Sequence, residues 1–222
     1  MNIYVPILVC FSFFILVFIL LALRVPGLKV SHQLVATLFG LLSVFPIAFL
    51  EYIILSLPVF TSHTYMSVIV TALIFNGLVE ETLKMVFMLP LPHKTIKLPA
   101  FFSLCLLSGL IIGSFESVIY FLHHIQTAGI NIVESAYTLI LTRMGTSVLI
   151  HAFCSALSGL YIWSYHNKQT HIAPFVHAVL LHGLYDFFAA FSTNYRYFAF
   201  AVLLFAIVQC RTTYTKFTET KK

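Results

Sequence analysis

Residues 3–23 read IYVPILVCFSFFILVFILLAL, and no charged side chain occurs before Arg24. A helix rises about 1.5 Å per residue and needs roughly 17–25 apolar residues to cross the hydrocarbon layer, so this run alone can span a bilayer. The pattern recurs. Apolar runs of that order occupy about 2–23, 33–57, 65–90, 98–125, 136–164, 171–191 and 195–211. None alternates polar and apolar residues as an outer-membrane barrel strand would. An unpaired backbone amide in lipid costs several kcal/mol, so such segments satisfy their hydrogen bonds internally, as helices. The expected fold class is therefore all-α: a polytopic membrane helix bundle of about seven transmembrane helices. Residues 1–222 read as one integral-membrane domain, with 211–222 a short basic tail.

Composition excludes the other classes. The chain is 60% hydrophobic and 9% charged, against about 25% charged in soluble domains. The first run is too long for a signal-peptide core and lacks a basic lead-in and a small-residue cleavage site, so it reads as a retained helix. Cys10, Cys105, Cys154 and Cys210 fall in apolar runs without a Cys-x-x-Cys pair, which suggests packing rather than disulfides or thiolate zinc. A formal charge of +5 could point to nucleic acid, but the basic residues sort by loop. Arg24 and Lys29, Lys94 and Lys97, Lys168, and Arg211, Lys216, Lys221 and Lys222 occupy alternate connections and the tail, while Arg196 stands by itself on the other side. The positive-inside rule then puts the C-terminus in the cytoplasm and the N-terminus outside. The expected partner is the lipid bilayer, with no nucleic acid. Pro58, Pro90, Pro92, Pro99 and Pro174 sit at proposed helix ends, and no crossing is expected to be broken by Gly or Pro near its centre.

The acids are the informative residues. Of seven, Glu51, Glu80, Glu81, Glu116 and Asp186 fall inside proposed crossings, while Glu134 reads as a loop residue. A charge at mid-bilayer costs about 2.5–3.5 kcal/mol on insertion scales, so these groups are expected to face partners or a wetted cavity. Lys84 and Arg143 supply buried positive charge as compensating groups, and His151 and His182 add imidazoles. Four residues apart on a helix, Glu80 and Lys84 share a face; Glu81 is turned about 100° away. Lys84 is thus expected to neutralise one carboxylate and leave the other nearly free. Arg143, Ser147, His151 and Ser155 form a stripe on the fifth crossing, His182 and Asp186 an i, i+4 pair on the sixth, and Glu116, Tyr120 and His123 one face of the fourth. Four helices are expected to converge on one polar layer. Glu51 has no partner by spacing and reads as structural or interfacial, as do His123 and His124.

Several routes to peptide cleavage within a membrane lack their parts. There is no His-Glu-x-x-His, no aspartate pair, since Asp186 is the only Asp, and no Gly-x-Ser-x-Gly elbow. What remains is a carboxylate and histidine set suited to activating water. A carboxylate can take a proton from water and pass it to the leaving amine, while a nearby imidazole holds the oxyanion. Three carboxylates and two histidines, Glu80, Glu81, Glu116, His151 and His182, could equally ligate zinc.

Four segments carry a family resemblance: EETLK with Glu80, Glu81 and Lys84; GSFESVIY around Glu116; RMGTSVLIHAFCSALSG with Arg143 and His151; and LLHGLYDF with His182 and Asp186. In order and spacing, across residues 75–188, they resemble the PrsW family of intramembrane proteases, related to glutamate-dependent CAAX-type prenyl proteases and abortive-infection proteins. The resemblance implies a bacterial inner-membrane protease whose substrate is a single-span protein such as an anti-sigma factor. It implies Glu80, Glu81, Glu116, His151, His182 and Asp186 as the catalytic set, supported by Lys84 and Arg143. No cofactor is required on this reading, and zinc is possible. One departure is Ser117, where the family often has Asn after the second-motif glutamate. The competing readings are a proton-coupled transporter or channel, and a prenyl-peptide protease.

Overall fold

The computed structural model describes residues 3–57, 64–127, 132–169, 171–191 and 194–219; Pro58, Lys221 and Lys222 lie outside them. All regular structure among these residues is helical. Helix α1 (Tyr4–Arg24) and α2 (Val30–Leu55) are the first two crossings. The third is composite: α3 (Tyr65–Val70), a π-helical stretch (Thr71–Glu80) and α4 (Glu81–Met88). Next come α5 (Leu98–Thr127), α6 (Ile132–Gly145), α7 (Ser147–His166) and α8 (Ala173–Ala189), and a short turn, Asn194–Arg196, leads into α9 (Tyr197–Glu219). Six segments are long and apolar enough to cross a membrane, with Tyr65–Met88 and Ser135–His166 each counted once, and the shorter Ala173–Ala189 makes a seventh. The chain is a multi-pass membrane protein.

Helices α5 and α7 form the central pair. In α5 78% of the most apolar window is buried, against 11% in α1, so α1 is peripheral and turns side chains such as Leu8, Leu16 and Leu23 outward. Small residues permit the central contact: a Cβ added at Gly113 of α5 would stand 2.7 Å from Val148 Cα and 3.1 Å from His151 Cδ2. Close backbone approach of this kind is how helices associate where lipid tails are as apolar as the side chains. All four cysteines are free and buried, and each belongs to an apolar cluster, in keeping with packing roles.

Three features add to the sequence reading or correct it. Two crossings leave regular α-helix near their centres. The third is π-helical over Thr71–Glu80, and the fifth is interrupted at Thr146 (φ −133°, ψ −73°) between α6 and α7. The physical reason lies in tertiary packing, which local periodicity does not report. The π stretch lies against α8, where a Cβ at Gly183 would stand 2.8 Å from Ala72 O and 2.9 Å from Leu73 Cα. Thr146 is held by the Tyr185 hydroxyl, which donates to its Oγ1 at 2.8 Å. Secondly, Pro46, not among the prolines expected at helix ends, lies inside α2, and the helix continues through it. Thirdly, Glu134 belongs to α6, not to a loop. Valine at Gly183 is expected to push the π stretch away from α8 and destabilise the bundle by about 1–3 kcal/mol. A thermal scan in detergent checks this; an unchanged midpoint would show that the contact yields freely.

Candidate functional site

The π-helical stretch ends at Glu80 and α4 begins at Glu81, so the acid pair sits at the junction of two helical geometries. Both are buried, as is Lys84 at 1% exposure. Lys84 Nζ lies 2.7 Å from Glu80 Oε1 and 2.8 Å from Glu81 Oε1. One ammonium therefore pairs with both carboxylates, contrary to the expectation that it would leave one nearly free, and the pair keeps a net negative charge. The four-carbon stem reaches i−3 and i−4 together, and no other Lys or Arg contacts the pair among the described residues. The remaining oxygen of Glu81, Oε2, accepts from Ser158 Oγ of α7 at 3.2 Å.

Lys84 also bridges to α7, with Nζ 2.7 Å from His151 Nδ1. An ammonium only donates, so Nδ1 accepts and the ring proton sits on Nε2. That Nε2–H donates to Glu116 Oε2 of α5 at 2.5 Å. The same oxygen takes Arg143 Nη2 at 2.9 Å and Ser147 Oγ at 3.2 Å. Arg143 in turn stacks over the Tyr120 ring, 3.8 Å from its centroid, a cation–π contact that holds the guanidinium in place. The stripe read on the fifth crossing thus survives the break at Thr146 for Arg143, Ser147 and His151. Ser155, a turn further on, is buried without a hydrogen-bond partner among the described residues. Ser117, where the family often has Asn, donates to Gly113 O at 2.8 Å; its hydroxyl serves its own helix. His123 is exposed, and His124 pairs with Ser135 at 2.8 Å, so both lie away from this layer.

Helix α8 completes the layer. His182 Nδ1 lies 2.9 Å from Glu81 Oε1, yet outside hydrogen-bonding geometry, and it is buried with no hydrogen bond. Its Nε2 is 3.9 Å from Glu80 Oε1 and 3.5 Å from Asp186 Oδ2. The His151 and His182 rings meet edge to face, 4.8 Å between centroids. All eight expected residues are therefore linked through direct contacts into one layer, buried at Glu80, Glu81, Lys84, His151 and His182 and half-buried at Glu116, Arg143 and Asp186. Glu51, read as structural from spacing, is the residue the sequence reasoning passed over. It lines two small cavities that Glu80 also lines, one of about 30 Å³ bordered as well by Glu116 and His151. No pattern within α2 marks this, because the neighbours come from three other helices.

The donor set suits a divalent metal. One ligand atom from each of Glu80, His151 and His182 lies within 4.8 Å of the others, the His₂Glu composition of several catalytic zinc sites. Glu81 and Glu116 do not join this group, so it is narrower than the five residues expected from sequence. The unsatisfied His182 nitrogen fits the same reading. So does charge: four carboxylates, Glu80, Glu81, Glu116 and Asp186, face two fixed cations, Lys84 and Arg143.

A multi-pass bundle that gathers carboxylates and imidazoles around a small buried cavity has the makings of a hydrolytic site within the membrane. Residues 29–210 match the family model of the PrsW family intramembrane metalloproteases, and the chain belongs to that family. No curated protein and no solved structure matches the chain. The matched region begins after α1 and takes in every residue of the polar layer.

Proposed function

We propose that this membrane protease cuts a peptide bond within or beside the membrane segment of a single-span protein, such as an anti-sigma factor, in the manner of a site-1 protease. The setting is the bacterial inner membrane, with the N-terminus outside and the C-terminus in the cytoplasm. The observation that carries the reading is the cavity of about 30 Å³ bordered by Glu80, Glu116, His151 and Glu51. A buried water needs about that room and two to four polar partners. Glu80 acts there as general base, taking the proton of an attacking water and returning it to the leaving amine. Glu116 fixes the His151 tautomer and, with it, holds the water. His182, oriented by Asp186, donates to the oxyanion. Glu81 anchors Lys84, while Lys84 and Arg143 balance charge.

Glu80, His151 and His182 are the residues that would hold the family's metal, and zinc would supply polarisation of the scissile carbonyl and a nucleophile at neutral pH. Glu116 and Glu51 are then the carboxylates facing the cavity that remain able to receive a proton. Chelation is expected to abolish cleavage of a single-span reporter in liposomes, with recovery on adding zinc and about one metal per chain by elemental analysis. Full activity in metal-free protein would exclude the zinc form.

The interrupted third crossing also suits a proton-coupled transporter, since broken helices mark transport sites. Solute uptake measured beside reporter cleavage in the same liposomes separates the two. A lipidated C-terminal Cys peptide tests the prenyl-peptide alternative.

A further inference from the structure

Another cavity lies away from the polar layer. It has a volume of about 260 Å³ and is lined by Trp163, Gln169, His171, Ala173, Pro174, His177, Gln209, Thr213, Lys216 and Phe217. It thus opens between the end of α7, the start of α8 and the last turns of α9. This is the end of the bundle at which the other basic loops gather: Leu28, Leu91, Leu98 and Trp163 share one apolar cluster there, with Tyr214 and Phe217 packed against it. Those residues flank Lys29, Lys94, Lys97, Lys168 and Lys216.

The lining is amphipathic in a particular way. Lys216, His171, His177, Gln169, Gln209 and Thr213 provide donors, and none of the chain's seven acids is among the lining residues. Gln209 Nε2 lies 2.8 Å from His177 Nδ1 and 3.4 Å from Thr213 Oγ1, which ties α8 to α9 across the cavity floor. Helix α8 begins at Ala173 with no side-chain cap, adding the positive end of its dipole. Trp163 and Phe217 supply the aromatic rim common at a membrane interface. A cavity of this size sits at the small end for ligand sites, so it suits a headgroup and not a whole lipid. Basic pockets between helices on the cytoplasmic side are where anionic headgroups bind.

We infer that this cavity binds the phosphate of an anionic phospholipid of the cytoplasmic leaflet, with the acyl chains lying outside along α8 and α9. The site is independent of the protease chemistry and of the metal.

Trp163 is the chain's only tryptophan and is 7% exposed, so its fluorescence reports the cavity directly. The full-length protein in neutral detergent is titrated with short-chain phosphatidylglycerol, short-chain phosphatidylcholine and inorganic phosphate. A saturable change with phosphatidylglycerol is expected, at a Kd at least tenfold below that for phosphatidylcholine or free phosphate. Lys216→Gln should weaken it about fivefold, the factor for one cationic contact at an anionic surface. Lys94→Gln, an equal change of charge elsewhere on the same face, should leave it unaltered. A second substitution, His177→Leu, guards against a misleading single variant and should also weaken binding. Equal responses to both lipids, or equal losses in the Lys216 and Lys94 variants, would overturn the site. Inorganic phosphate binding as tightly as the lipid would overturn the lipid as its ligand.

Discussion

Glutamine at Glu80 is expected to lower cleavage of a single-span reporter by about two to four orders of magnitude, the usual worth of a positioned acid–base group, while the protein still folds. The amide keeps the shape and can still meet Lys84, but it cannot take a proton from water. Glu81→Gln should also lose activity, for a different reason. Glu81 is fully buried and borders neither small cavity, but it holds Lys84 and Ser158 in place. Its loss should therefore come with a lower thermal midpoint, which the Glu80 variant should largely keep. Activity retained in both variants would sink the assignment, and matching losses of stability would reduce Glu80 to a structural group.

Methionine at Lys84 is expected to be the most destabilising single change in the polar layer. It removes the cation shared by two buried carboxylates and the donor to His151 Nδ1. Removing one partner of a buried ion pair costs about 3–5 kcal/mol, because the other charge stays behind. At roughly 2–4 °C per kcal/mol for a chain of this size, the thermal midpoint in detergent should fall by about 10 °C. Combining Lys84→Met with Glu81→Gln should recover part of that loss, since one orphaned charge goes with it. If the double variant were no more stable than Lys84→Met alone, orphaned charge would not be the cause of the loss.

Much of this site was legible in the chain itself. An acid in an apolar run is so costly that Glu80, Glu81, Glu116 and Asp186 announced a shared layer before any geometry was known, and helical spacing correctly paired Glu80 with Lys84 and His182 with Asp186. Run length alone located the crossings to within a few residues, except that α9 continues as a helix through Glu219, into the stretch read as a tail. What stayed hidden depends on contacts between distant segments. Spacing within one helix could not show that Lys84 reaches both acids and His151 at once. Nor could it show that Glu51 borders the same cavity as Glu116 and His151, because those neighbours lie on α5 and α7. The departures from α-helix at Thr71–Glu80 and Thr146 both lie against α8, at Gly183 and the Tyr185 hydroxyl.

The widened coil just ahead of the acid pair has a geometric consequence. A π-helical segment bonds i to i+5 and holds one more residue per hydrogen-bonded ring than an α-helix. The side chains of α4 are therefore rotated, relative to α3, from the bearings that a regular 3.6-residue spiral would give, and at that bearing Glu81 meets Ser158 of α7 and Lys84 meets His151.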